Sequence, residues 1–185
     1  MESFAKGYLG RLSKVIESCD IASMDRGVEI VREAWEAGRQ IITLGNGGSA
    51  MTALHFITDW NKMIHLATGR PFRGRTLVDN MGLITAYSND MSYQDAFVEQ
   101  LKNVSLPGDL IVAISGSGNS ENVIRAVKHA NELGCKTLGL CGFGGGRLRD
   151  CAQHAIWVQV NDMQLCEDMH AIFGHMVMQS ICKLH

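Results

Sequence analysis

The sequence has no long apolar run, no charge excess, no CxxC pair and no low-complexity tract, and each absence narrows what the chain can do. No apolar stretch reaches the roughly 20 residues that span a bilayer, and the amphipathic start, MESFAKGYLGRLSKVIES, lacks the uninterrupted apolar core of a signal peptide. A cytoplasmic location without a membrane partner is expected. Lys and Arg number 17 against 19 Asp and Glu, a formal net charge of −2, which gives no basic footprint for nucleic acid or an anionic membrane. The six cysteines (Cys19, Cys135, Cys141, Cys151, Cys166, Cys182) fall mostly in apolar or helical contexts. That suits reduced, buried thiols better than a disulfide framework. With no internal repeat and no linker, 185 residues at 46% hydrophobic content are expected to form one domain, 1–185.

What is present begins with two helical periodicities in residues 1–38. Phe4, Tyr8, Leu12, Val15 and Cys19 recur at helical spacing, as do Met24, Val28, Val31 and Trp35 before Gly38 closes the second segment. From residue 39 to 185 strands alternate with helices. Strands are expected at Ile41–Leu44, Arg75–Val78, Leu110–Ile114, Thr137–Leu140 and Ala155–Val160, with a helix from Ser49 to about Met63 and another from about Gln164 to Lys183. Alternating units of this length predict an α/β three-layer sandwich, a five-stranded parallel flavodoxin-like sheet in the order 2-1-3-4-5 with helices on both faces.

Two of the strand-to-helix turns carry chemistry. DLIVAISGSGNS runs from an apolar strand into Ser115, Gly116, Ser117, Gly118 and Ser120 and then into a helix. Three hydroxyls and glycine backbone amides at a helix start can hold a phosphate with no basic residue. The first strand ends the same way, in Gly45, Asn46, Gly47, Gly48 and Ser49. Two such turns at the C-terminal ends of parallel strands should converge on one crevice. Gly45, Gly47 and Ala50 also satisfy a GxGxxA dinucleotide pattern, yet the acidic residue expected about 20 positions on is missing, since Asp79 comes later.

A third group is titratable. His55 and Asp59 are four apart on one helix face, and Glu167 and His175 eight apart on the last helix. Two imidazoles and two carboxylates form a plausible N/O site for zinc or a similar divalent metal. His170 reads as a satisfied core histidine, and His65, His129, His154 and His185 as surface or terminal residues.

GNGGSA, ISGSGNSENV, ITAYSND at Ile84–Asp90 and the terminal EDMHAIFGH resemble the sugar isomerase domain family, specifically its phosphoheptose isomerase branch, over nearly the whole chain. The resemblance implies an aldose–ketose isomerase that interconverts sedoheptulose 7-phosphate and D-glycero-D-manno-heptose 7-phosphate. It also implies one Zn2+ or other divalent ion per subunit, held by His55, Asp59, Glu167 and His175, and a homotetramer with sites near subunit interfaces. Two of the four positions depart from the family pattern, which has Glu at 59 and Gln at 167. The catalytic base is therefore open between Asp59 and Glu167, with His175 the acid.

The implied substrate-binding residues are Asn46, Gly47, Gly48, Ser49, Ser115, Gly116, Ser117 and Ser120. Asp79 or Asn80 could meet sugar hydroxyls, because the family Asp falls at Asn80 here, with Asp79 just ahead. The alternatives are an isomerase for another ketose phosphate and a non-catalytic sugar-phosphate sensor or adaptor on the same fold.

Overall fold

The computed structural model describes residues 3–184, so His185 lies outside the described residues. The N-terminal pair is formed by α1 (Phe4–Ser18) and α2 (Ile21–Glu36). Asp20 caps α2 by accepting the Ser23 N–H on its side chain. Gly38 ends it, its N–H bonding the Trp35 carbonyl while the Arg39 N–H returns to Ala34. Strand β1 (Ile41–Gly45) follows directly.

Helix α3 (Gly48–Asp59) continues through a π-helical turn, Trp60–Ile64, into α4 (His65–Thr68). It outruns the expected end near Met63 because the π turn widens the helix without breaking it, and only Gly69 stops it. Strand β2 (Gly74–Thr76) ends before the expected Val78, whose N–H turns back to the Thr76 hydroxyl at 3.5 Å. Helices α5 (Met81–Asp90) and α6 (Ala96–Val104) then fill a stretch that periodicity leaves unassigned. The remainder is β3 (Leu110–Ser115), α7 (Glu121–Leu133), β4 (Lys136–Cys141), α8 (Gly146–Cys151), β5 (His154–Trp157) and α9 (Met163–Cys182). Strand β5 falls short of Val160, whose N–H closes a tight turn on the Val158 carbonyl instead of pairing.

All strands pair in parallel in the order β2-β1-β3-β4-β5, the expected topology. Successive strand residues point to opposite faces, and the core divides accordingly. Ile41, Val112, Ile114, Leu138 and Leu140 pack with residues of α2, α3 and α9, while Ile42, Leu44, Ile111 and Ala113 pack with residues of α6, α7 and α8. The six cysteines are free, with Cys135, Cys141 and Cys166 buried. Among the described residues no helix is long and apolar enough to cross a membrane.

Three histidines depart from expectation. His170 is in the core at 0% exposure, but neither ring nitrogen has a hydrogen-bond partner, and burial pushes its pKa down to about 4. His154 is half-buried because its ring meets the Ser23 carbonyl at 2.8 Å, tying α2 to β5. His129 is also half-buried rather than superficial, packed along α7 with its Nε2 shielded and unpartnered.

The helices α1 and α5 bury none of their residues fully. Phe4, Leu9 and Ile16 of α1 and Met81 and Leu83 of α5 face solvent, with Phe4 at 83% exposure. A polar tether fixes α1: Tyr8 donates to the Asp168 carboxylate at 2.7 Å, which pushes the phenol up to about 12.

Candidate active site

Strands β1 and β3 are neighbours with Gly45 opposite Ile114, so the turns that follow them open on one edge of the sheet. Asn46, Ser49, Ser115, Gly116, Ser117 and Ser120 line a single pocket of about 240 Å³. The two loops thus converge as their motifs predict. Ser115 and Ser49 are buried, Ser117 is exposed, and the Ser115 and Ser120 hydroxyls meet at 3.1 Å. Gly47 and Gly48 stand at the exposed start of α3. At Gly47 the backbone takes φ +52°, which an L side chain rarely adopts.

Contacts that motif reading misses hold these loops. Asn46 and Asn122 exchange two amide hydrogen bonds, both 2.9 Å, and Tyr93 donates to the Asn46 side-chain oxygen at 2.7 Å. The turn after β4, CGFGGG, braces the serine loop from the other side. Gly142 N–H bonds Gly116 O at 2.8 Å and Leu148 N–H bonds Gly118 O at 2.9 Å. Gly118 sits so close to the Gly145 carbonyl that any side chain would collide with it. The sequence signal was a third glycine-rich turn at a strand end. Asn122 offered none. On the rim, Arg125 links Asp95 to Glu121, and Arg147 reaches Glu121 from α8. The Ser92 hydroxyl and then Arg125 hold Asp95 below the usual carboxylate range, and Arg147 and then Arg125 do so for Glu121.

The titratable cluster forms where α3 crosses α9. His55 Nε2 and His175 Nε2 are 2.9 Å apart, and Asp59 Oδ2 is 3.5 Å from the first and 3.9 Å from the second. Close crossing depends on Gly174, where a Cβ would collide with the Phe56 ring, and on Trp60, whose indole N–H bonds the Gly174 carbonyl at 2.9 Å. Trp60 opens the π-helical turn directly after Asp59, and such turns are frequent at functional sites. Two imidazole nitrogens and a carboxylate oxygen suit a divalent cation of the zinc type. Tetrahedral zinc with ligands at about 2.0–2.1 Å sets them about 3.3 Å apart, and the three observed separations bracket that edge. These three residues can hold a metal, and three protein ligands leave a coordination position for substrate.

Glu167 does not join them. Its carboxylate lies against Gly48 at the start of α3, where a Cβ would stand 2.8 Å from Oε2, and it lines the serine-loop pocket. Asp79 and Asn80 are apart from the pocket as well. They line a separate cleft of about 700 Å³ beside β2 and α5, and the Asn80 side chain caps α5 by accepting the Leu83 N–H at 3.1 Å.

Comparison with known proteins finds relatives of this chain both in sequence and in fold. A model of the SIS domain matches residues 4–142. A phosphoheptose isomerase from Aliarcobacter butzleri is 36% identical over 170 residues, covering 92% of this chain and 89% of that protein. One from Akkermansia muciniphila is 34% identical, covering 87% of each. The solved structure of phosphoheptose isomerase GmhA from Neisseria gonorrhoeae superposes with a TM-score of 0.89 at 24% identity, over 97% of both chains.

Proposed function

The chain belongs to the SIS domain family and, within it, to the phosphoheptose isomerase branch, and from that premise we propose that it interconverts sedoheptulose 7-phosphate and D-glycero-D-manno-heptose 7-phosphate. The observation that carries this is a site with two chemically different ends, both of which α3 supplies with residues. One end is a pocket of hydroxyls and helix-start amides suited to a phosphate. The other is the His55, Asp59 and His175 cluster. Ser49 and His55 are separated by about 9 Å along α3 at 1.5 Å per residue, a span on the scale of an extended sugar phosphate.

In the ketose-to-aldose direction a base removes a proton from C1. The electron pair moves into the C2 carbonyl to give the enediolate, and a proton delivered to C2 completes the aldose. Asp59 turns Oδ2 toward both imidazoles, which leaves Oδ1 for the substrate carbon. His175 moves the proton between the two substrate oxygens. A divalent ion, zinc by its donor set, would be held by His55, Asp59 and His175 and would supply positive charge beside the developing oxyanion. Ser115, Ser117 and Ser120, with backbone donors of both loops and Ser49, hold the phosphate.

The same proposal includes a homotetramer in the cytoplasm. The apolar residues of α1 and α5 that face solvent favour burial against further copies of the chain, and light scattering at micromolar concentration should return four subunits. Incubation with sedoheptulose 7-phosphate and shorter ketose phosphates, read by NMR, tests the activity. Aldose 7-phosphate should form and chelation should abolish it. Binding without turnover of any ketose phosphate would instead make the chain a sugar-phosphate sensor.

A further inference from the structure

The pocket between the two loops is met by one side-chain amide whose direction is fixed from outside it. Val123 stands in the first turn of α7, where backbone N–H groups have no partner within the helix, and its N–H bonds the Asn122 side-chain oxygen at 3.0 Å. A backbone N–H can only donate, so the Asn122 oxygen and nitrogen cannot exchange places. The nitrogen is therefore the end that donates to the Asn46 side-chain oxygen, at 2.9 Å, and the Tyr93 hydroxyl donates to the same oxygen at 2.7 Å. Both lone pairs of that oxygen are then used. One Asn46 side-chain N–H returns to the Asn122 oxygen at 2.9 Å, and the other has no partner among the described residues and is left for the pocket that Asn46 lines.

We infer that Tyr93 is a positioning residue for the substrate phosphate and acts through Asn46. With the Asn122 amide, its hydroxyl saturates the Asn46 oxygen, so that Asn46 meets a ligand only as a donor. The inference rests on the phosphate reading of this pocket, and it gives a role to a residue of the 3-10 turn Tyr93–Asp95, between α5 and α6, that no glycine or serine motif contains. Asn122 is 2% exposed, whereas Tyr93 is 51% exposed. The tyrosine is thus the half of the arrangement that can be altered without opening the core. Its turn is also held from α7, because Arg125, three residues after Asn122, pairs with Asp95 at 2.6 Å. Without the hydroxyl, the Asn46 oxygen regains a lone pair that draws water to the edge of the pocket, and its free N–H loses its aim. A phosphate oxygen is charged and so rewards a well-aimed donor more than a neutral acceptor does.

A double-mutant cycle separates this role from a merely structural one. Dissociation constants for inorganic phosphate should be measured by titration calorimetry on the wild type, Tyr93→Phe, Asn46→Ala, the double variant and Ser117→Ala, with melting temperatures for all five. Tyr93→Phe keeps the ring and removes only the hydroxyl, and it should weaken phosphate about fivefold, the worth of one hydrogen bond, at an unchanged melting temperature. In turnover the same change should appear in KM and leave kcat as it was. On the Asn46→Ala background the tyrosine change should have no further effect on phosphate. Unchanged phosphate binding in Tyr93→Phe, or the same loss with and without Asn46, overturns the assignment while a weakened Ser117→Ala leaves the phosphate reading standing. If Ser117→Ala binds phosphate as the wild type does, the phosphate reading fails, and the inference with it.

Discussion

The two ends of the proposed site are built in opposite ways. The end proposed to hold the phosphate consists of loops. Its donors are backbone amides and short hydroxyls, locked by the Asn46–Asn122 pair and the glycine turn after β4. The reactive end consists of helix faces. Its three groups come from α3 and α9, more than a hundred residues apart in sequence, and depend on how closely those helices cross at Gly174. A loop site tolerates loss of one donor because several share the anion. A site of three convergent side chains fails when one is removed or when the crossing loosens.

His175→Ala should therefore break the comparison most visibly. It removes a metal donor and the proposed proton carrier together, and turnover should fall by about 10³-fold, with metal lost by elemental analysis and sugar-phosphate binding retained.

Acid should act next, on the helix both ends share. His170 lies in α9 between Glu167 and His175 and stays neutral until its folded pKa of about 4. The unfolded chain takes that proton near 6.5, so its contribution is complete above about pH 6.5 and is lost as pH falls towards about 4. The loss amounts to about 3 kcal/mol at 1.36 kcal/mol per pKa unit. Denaturation curves across that window should show a steeper loss for the wild type than for His170→Leu.

Ser117→Ala sharpens the contrast from the other side. One exposed hydroxyl is lost from a shared cradle, so KM should rise by about tenfold, consistent with one charged hydrogen bond, while kcat and melting temperature hold. Trp60→Phe should have the smallest effect. It keeps the ring stacked on Phe56 but loses the bond to the Gly174 carbonyl, worth about 1 kcal/mol. Metal affinity, measured by competition with a chromogenic chelator, should weaken about fivefold while phosphate binding is unaffected.

The same contrast governs what the sequence made readable. The sheet order followed from alternating strand and helix patterns, and the serine loops from local composition, because a turn carries its chemistry within six residues. His55 and Asp59 were legible as a pair on one helix face, and His175 joined them through the family motif. Their convergence depended on Trp60, Phe56 and Gly174, which look like ordinary core residues in one dimension. Glu167 stands outside the group of three for a related reason. A spacing of eight puts two side chains on one side of a helix but about 12 Å apart along it at the backbone, and here the Glu167 carboxylate lies against Gly48 beside the serine loop. Asp79 and Asn80 were read as candidate sugar contacts because the family Asp falls at Asn80; in the structure the Asn80 side chain caps α5, a role no motif announces.

The central claim is that the His55, Asp59 and His175 end moves a proton between neighbouring carbons of a sugar held by its phosphate. Running the reaction on sedoheptulose 7-phosphate in D2O and following it by NMR tests this most directly. The account predicts an aldose 7-phosphate carrying solvent deuterium at C2. Absence of product with every ketose phosphate would contradict the isomerase and this account with it.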